Sequence, residues 1–221
     1  MYKRIYAPAF LAAPSATLVL PKSPTFNKPL RAKVALGAAF VFLTGCAHVT
    51  VETIKNTAAR HPAAAAYIEG VPFYPQKESL CGPAAVASVT GYFNSAVSME
   101  DAAKAVYDER WKGTLPIDLV IYAKEKGFDA EFYKGSLADI KDKLRAKTPL
   151  ILFIDAGWGI FPSGHYIVAT GYSDELESIT AHSGMDKDAL FSYAELQRLW
   201  QRTGWSAILL KPKGTMPLNA R

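Results

Sequence analysis

From Val71 onward the chain sorts its apolar residues into two patterns, and the two are largely segregated. The first half favours helical spacing. Gly82 to about Phe93 is small and apolar throughout, the composition of a buried helix, and Pro83 suits its first turn. Ser98 with Asp101 forms a capping pattern that opens a helix to about Tyr107. Pro116 to Lys126 predicts another, stopped by Gly127, and Ser136 with Asp139 caps a short one to about Ala146. Between these last two, FDAEFYK (Phe128–Lys134) alternates as a strand. The second half changes character. LILFID (Leu150–Asp155), HYIVATGY (His165–Tyr172) and ESITAH (Glu177–His182) are β-branched or aromatic runs separated by turns. Ser192 with Glu195 caps a last helix to about Arg202, and WSAILLK (Trp205–Lys211) closes as a strand. Helices first and a mostly antiparallel sheet second make an α+β arrangement. The strands follow one another too closely for the crossovers of a doubly wound sheet.

Ahead of this domain the pattern is different. VPFYP (Val71–Pro75) is held extended by its prolines. Residues 47–70, rich in Ala and Thr without a sustained apolar face, read as a tether, part of which could be helical. Before them a basic stretch, KPLRAK (Lys28–Lys33), leads into the apolar run Val34–Gly45. That run is too short to span a bilayer comfortably but suits a signal segment. It ends in LTGC (Leu43–Cys46), which resembles the lipobox of bacterial lipoproteins, in which the cysteine is lipidated and becomes the mature N-terminus. A short membrane anchor is the competing reading. The resulting division is a cleaved leader over 1–45, a lipidated cysteine and tether over 46–70, a folded domain over 71–213, and a tail over 214–221.

Charge supports this division. The net +5 of the 221-residue chain would raise the question of nucleic acid. Yet Lys3, Arg4, Lys22, Lys28, Arg31 and Lys33 all precede Cys46, with no acidic residue among them, so the remainder carries −1. No nucleic-acid partner is expected. At 50% hydrophobic and 20% charged, the chain is globular. Cys46 and Cys81 are its two cysteines. With Cys46 lipidated, Cys81 has no disulfide partner, and an exported chain either hides such a thiol or uses it. His48, His61, His165 and His182 are scattered along the chain, so no metal site is expected, nor any organic cofactor.

The candidate chemistry starts in YPQKESLCGPAA (Tyr74–Ala85). Cys81 stands at a predicted helix N-terminus, where unpaired N–H groups and the helix dipole favour a thiolate. Gln76, five residues earlier on an extended segment, could donate to the oxyanion formed when that thiolate attacks a carbonyl. Gly82 would leave room for substrate beside the sulfur. His165 follows FPSG and opens an apolar strand, where it could serve as base at the mouth of a cleft. Trp158, on the glycine-rich loop before it, could line that cleft or cover an edge of the core. Trp200 and Trp205 read as core.

QKESLCGPAAVASV and GHYIVATGY, in this order, resemble the two motifs of the peptidase C39-like family, relatives of the papain-like peptidases that trim bacteriocin leaders. The resemblance covers about Val71 to Lys211. It implies a papain-like fold with Cys81 as nucleophile, His165 as base and Gln76 in the oxyanion hole. With the lipobox, it looks most like the family's lipoprotein-type members. The family usually supplies an Asp after the strand that follows the histidine strand, to orient the imidazole. Here ESITAHSG stands in that place, so His182 or Ser183 occupies it, His182 being the expected third residue, with a Cys–His dyad or the loop residues Asp174 and Asp186 as alternatives. The expected function is a membrane-anchored cysteine peptidase of the bacterial cell envelope, an outer-membrane lipoprotein facing the periplasm and acting on a peptide or protein. A peptidoglycan or other amide hydrolase with the same site, or an inactive peptide-binding module, are the alternatives.

Overall fold

A computed structural model describes residues 49–76, 79–95 and 97–214. The leader, the lipobox and Cys46 lie outside the described residues, as does the tail from residue 215. Within them the chain forms six helices and seven strands.

The fold begins twenty residues earlier than the sequence pattern suggests. Helix α1 (Val51–Arg60) opens on a reciprocal Thr50–Thr53 cap, in which Thr50 Oγ1 accepts from Thr53 N at 3.2 Å and Thr53 Oγ1 accepts from Thr50 N at 2.9 Å. It buries Ile54 completely, together with Thr57. Strand β1 (Ala65–Tyr67) then joins the sheet, and Ile68 N continues the pairing by donating to Thr170 O at 2.7 Å. Residues 51–70 are therefore part of the domain rather than a tether. A threonine in place of the usual Glu/Gln in the cap, and a buried face only two residues wide, hid this helix from pattern reading.

Helix α2 (Cys81–Tyr92) runs through the interior against a strand of the sheet. Residues 82 to 90 are all buried, and the polar ones are satisfied internally: Ser88 Oγ donates to Ala84 O and Thr90 Oγ1 to Val86 O, each at 2.8 Å. Its small side chains let the sheet approach closely. Helices α3 (Met99–Val106), α4 (Pro116–Glu125) and α5 (Leu137–Arg145) follow, with strand β2 (Phe128–Lys134) between the last two. The capping serines behave as predicted: Ser98 accepts from Asp101 N at 3.0 Å, and Ser136 from Asp139 N at 3.1 Å.

The sheet is antiparallel throughout. It runs β2, β7 (Ser206–Pro212), β3 (Leu150–Asp155), β4 (Gly164–Ser173), β5 (Ser178–Ser183), β6 (Asp186–Ser192), and helix α6 (Tyr193–Gln201) links β6 to β7. Strand β3 pairs with Gly164–Ala169 of β4, and β1 with Gly171–Ser173. The central strands carry the core, with Leu150, Ile151, Leu152, Ile167 and Ala169 fully buried. Trp200 is also fully buried and donates Nε1–H to Ser206 O at 2.8 Å, with Trp205 edge-on to it. Strand β6 has no counterpart in the sequence pattern. It is the sheet's edge, and the exposed Asp186 and Lys187 at its start are the charges by which edge strands resist further pairing.

Candidate active site

Cys81 is the first residue of α2, and the residue before it, Leu80, offers no side-chain cap. The helix's first N–H groups are thus left for whatever lies at the sulfur, and those of Gly82 and of Cys81 itself, with that of Tyr166, act on the thiol. They pull its pKa down. Burial pulls the other way and prevails, so the thiol titrates above its ordinary value. The chain reaches this helix through Ser79, whose φ of 74° places a non-glycine residue in the left-handed region.

Gly82 has a different role from the one expected. A Cβ there would meet the Thr114 side chain at 2.8–3.2 Å, so the space at Gly82 is already filled by protein. Thr114 belongs to a wall of the cleft, and Tyr166 Oη donates to its carbonyl at 3.0 Å. Gly82 is small so that this wall can close against α2.

His165 is the second residue of β4, opposite Ile154 of β3. Its Nε2 lies 3.0 Å from Ser183 Oγ, at the end of β5. Nδ1 is therefore the ring nitrogen left for the thiol. Burial holds the imidazole below its ordinary pKa. Burial thus favours the neutral form of both thiol and imidazole.

His182 does not face His165. Strand pairing sets Val168 of β4 against His182 of β5, so these two share a face of the sheet. Ser183, beyond a register shift between Ala181 and Ser183, is the residue that reaches His165. His182 is buried, with Nε2 3.1 Å from Val71 O and Nδ1 accepting from Asp188 N at 3.3 Å. The expected contact between His182 and His165 is thus replaced by one from Ser183. Asp174, the first of the loop alternatives, is engaged elsewhere, by Lys141 and Tyr193.

Cys81, His165 and Gln76 line one open cleft of about 1040 Å³. Gln76 is buried, and its backbone N–H donates to Gly184 O at 3.2 Å. Trp111, Leu115, Phe153 and Met185 add apolar walls, and Lys112 is the single formally charged side chain among the described lining residues. Trp158 is not among them. It stands 91% exposed on a tight loop whose ends are tied by Asp155, which accepts from Gly157 N and Ser163 N, both at 2.8 Å. Arg202 completes the tie, with Nε 3.0 Å from Asp155 Oδ2. Asp155 thereby fixes the backbone just ahead of His165. Nothing in LILFID distinguished it, because its bonds are to backbone N–H groups that only the folded loop brings together. No group of His, Cys, Asp and Glu able to hold a metal occurs among the described residues.

A cysteine at the head of a buried helix, set against a histidine on an antiparallel sheet, defines the papain-like cysteine peptidase architecture. Residues 68–208 match the model of the peptidase C39-like family, and the chain belongs to that family. No curated protein sequence matches it. Among solved structures, it resembles the peptidase domain of Streptococcus ComA, a bifunctional ABC transporter involved in a quorum-sensing pathway. The identity is 26% and the TM-score 0.54, over 65% of this chain and all of that one. A C39-like peptidase from Bacillus anthracis is similar in fold at 15% identity and a TM-score of 0.57, over 68% of this chain and 99% of that one. So is a double-glycine-motif protease from an AMS/PCAT transporter in complex with the leader peptide, at 20% identity and a TM-score of 0.52, over 67% of this chain and 99% of that one.

Proposed function

We propose that this chain is a cysteine peptidase in which Cys81 is the nucleophile, His165 the base, Ser183 the group that orients the imidazole, and Gln76 an oxyanion donor. The observation that carries the reading is the 3.0 Å contact between Ser183 and His165, the latter lining one cleft with Cys81. With Nε2–H donating to Ser183 Oγ, the lone pair sits on Nδ1. As sulfur attacks a peptide carbonyl, the thiol proton passes to Nδ1 and the carbonyl electrons move to oxygen. The Gln76 amide and the N–H groups at the head of α2 then stabilise the oxyanion. His165 returns its proton to the leaving nitrogen, the C–N bond breaks, and an acyl-thioester remains. Water, deprotonated by His165, releases the acid and restores the thiol.

A peptide substrate suits the open cleft with apolar walls, and the resemblance to a structure with a bound leader peptide points the same way. We further propose that lipidated Cys46 anchors the enzyme to the bacterial envelope, with the outer membrane facing the periplasm as its site. The test of the catalytic assignment is hydrolysis of a peptide panel. Cys81→Ala and His165→Ala abolish it with the fold intact, and Gln76→Ala lowers it on the order of a hundredfold to a thousandfold. Full activity in Cys81→Ala removes the mechanism, and an unchanged rate in Gln76→Ala removes that residue from the site. Hydrolysis of peptidoglycan stem peptides alone would narrow the substrate while leaving the roles in place.

A further inference from the structure

Three consecutive residues at the end of β5 hold three different parts of the site. His182 Nε2 is 3.1 Å from Val71 O, Ser183 Oγ is 3.0 Å from His165 Nε2, and Gly184 O accepts from Gln76 N at 3.2 Å. The first and third contacts bracket one stretch of chain, the extended segment from Val71 to Gln76. Between them Phe73 packs edge-on against the His182 ring, with centroids 5.3 Å apart. The segment is therefore held at both ends and near its middle, and the side chain at its far end is Gln76.

His182 is itself fixed from behind. A neutral imidazole has one donor and one acceptor nitrogen. Asp188 N–H supplies the partner for an accepting Nδ1, which makes Nε2–H the donor to Val71 O. Asp188 has a φ of 55°, and its carboxylate accepts from Tyr67 Oη at 2.7 Å and from Thr170 Oγ1 at 3.0 Å. Asp188 is as buried as His182, and this network ties β1, β4 and β6 to the ring. Burial holds the ring below its ordinary pKa, against the pull of the Asp188 carboxylate, whose Oδ1 is 3.4 Å from Nδ1.

We propose that His182 is a positioning residue for the oxyanion side of the site. It fixes the Val71–Gln76 segment, and through it the Gln76 amide, instead of orienting His165. The proposal rests on the reading of Gln76 as oxyanion donor. Two neighbours in sequence thereby support opposite sides of the cleft, Ser183 the base and His182 the oxyanion hole.

The test uses full-length His182→Leu and His182→Gln, with thermal melting as a control for folding. The glutamine amide can still donate to Val71 O. Alkylation of Cys81 by iodoacetamide forms a C–S bond and expels iodide without building an oxyanion, so it reports on the thiol and base alone. Expected for His182→Leu are a fall of about tenfold or more in peptide hydrolysis, within the loss from removing a whole donor, and an alkylation rate within about twofold of the parent, a margin of about 0.4 kcal/mol. Expected too is faster hydrogen exchange at the Gln76 backbone N–H, which donates to Gly184 O, with substantial recovery of both hydrolysis and protection in His182→Gln. In a Gln76→Ala background, His182→Leu should add little further loss, since both act on one step. Equal losses in hydrolysis and alkylation, full additivity with Gln76→Ala, or unchanged exchange at Gln76 would overturn the proposal. A parent without peptidase activity would remove the function reading alone, because the exchange measurement does not depend on turnover. Where His182→Leu does not fold, the same readouts on His182→Gln decide: loss of Gln76 protection there, with no recovery, overturns the proposal.

Discussion

At Cys81 two influences act on one sulfur. Burial disfavours the thiolate, and the N–H groups of Tyr166, Gly82 and Cys81 favour it less strongly. At His165 burial alone acts and favours the neutral ring. A carboxylate behind the imidazole would tip such a pair toward thiolate and imidazolium, but Ser183 brings no charge. The sign follows directly. A thiol raised above its ordinary value of about 8.5 is protonated at neutral pH. An imidazole lowered beneath about 6.5 keeps its lone pair down to that range and loses it on further acidification. Alkylation of Cys81 should therefore rise steadily into alkaline pH, and the acidic limb of kcat/KM should fall below about 6.5. Ser183→Asp should bring the alkaline rise down toward neutrality, by holding a proton on His165 and so a negative charge on sulfur. An alkylation rate already level at acid pH in the parent would contradict the neutral pair. The sequence singled out Gln76, Cys81 and His165 because each belongs to a short motif whose mechanics are local, and the fold brings the three to one cleft. The third position was not legible in this way. Choosing between His182 and Ser183 requires the β4–β5 register, and a shift of one residue exchanges the faces.

Element by element, the sequence pattern is legible wherever a cap or a long apolar run marks the boundary. Ser98, Ser136 and Ser192 each accept from the N–H three residues on, and the helices begin where those serines predict. Strands β1 and β6 have no counterpart in the pattern, and α1 only the reading that part of a tether could be helical; all three share thin burial or charged composition. Helix α1 rests on one fully buried side chain, and β1 on three residues. This makes a sharp prediction about the domain boundary. Ile54 is 0% exposed, so Ile54→Ala leaves a cavity between α1 and the sheet and should cost about 2–5 kcal/mol of unfolding free energy. A tether would give no measurable change. Chemical denaturation of the two proteins separates the outcomes, and a midpoint shift without a change in slope would place the effect in the native packing.

For the whole molecule, the early start of the fold changes what the proposed anchor does. With Cys46 lipidated, residues 47–50 are all that lie between the lipid and the first turn of α1. Four residues reach about 14 Å at full extension. The 24-residue tether expected over 47–70 would have let the domain range several times farther. The enzyme is then confined to a layer next to the bilayer, and its accessible substrates are those that enter that layer. Diacylglycerol on the cysteine makes such attachment durable, since two chains hold where one exchanges. Among the described residues no helix is long and apolar enough to cross a membrane. Cys46→Ser should therefore block processing of the leader, and a membrane-bound product of mature size from that variant would sink the assignment. Inserting about twenty Gly and Ser residues after Ala47 tests the reach. Solution peptides should be cleaved at the parental kcat/KM, because the cleft is untouched, while proteins tethered at heights beyond the original reach of about 14 Å should become substrates. Identical height dependence in the parent and the lengthened chain would mean that the short link does not set where the enzyme works.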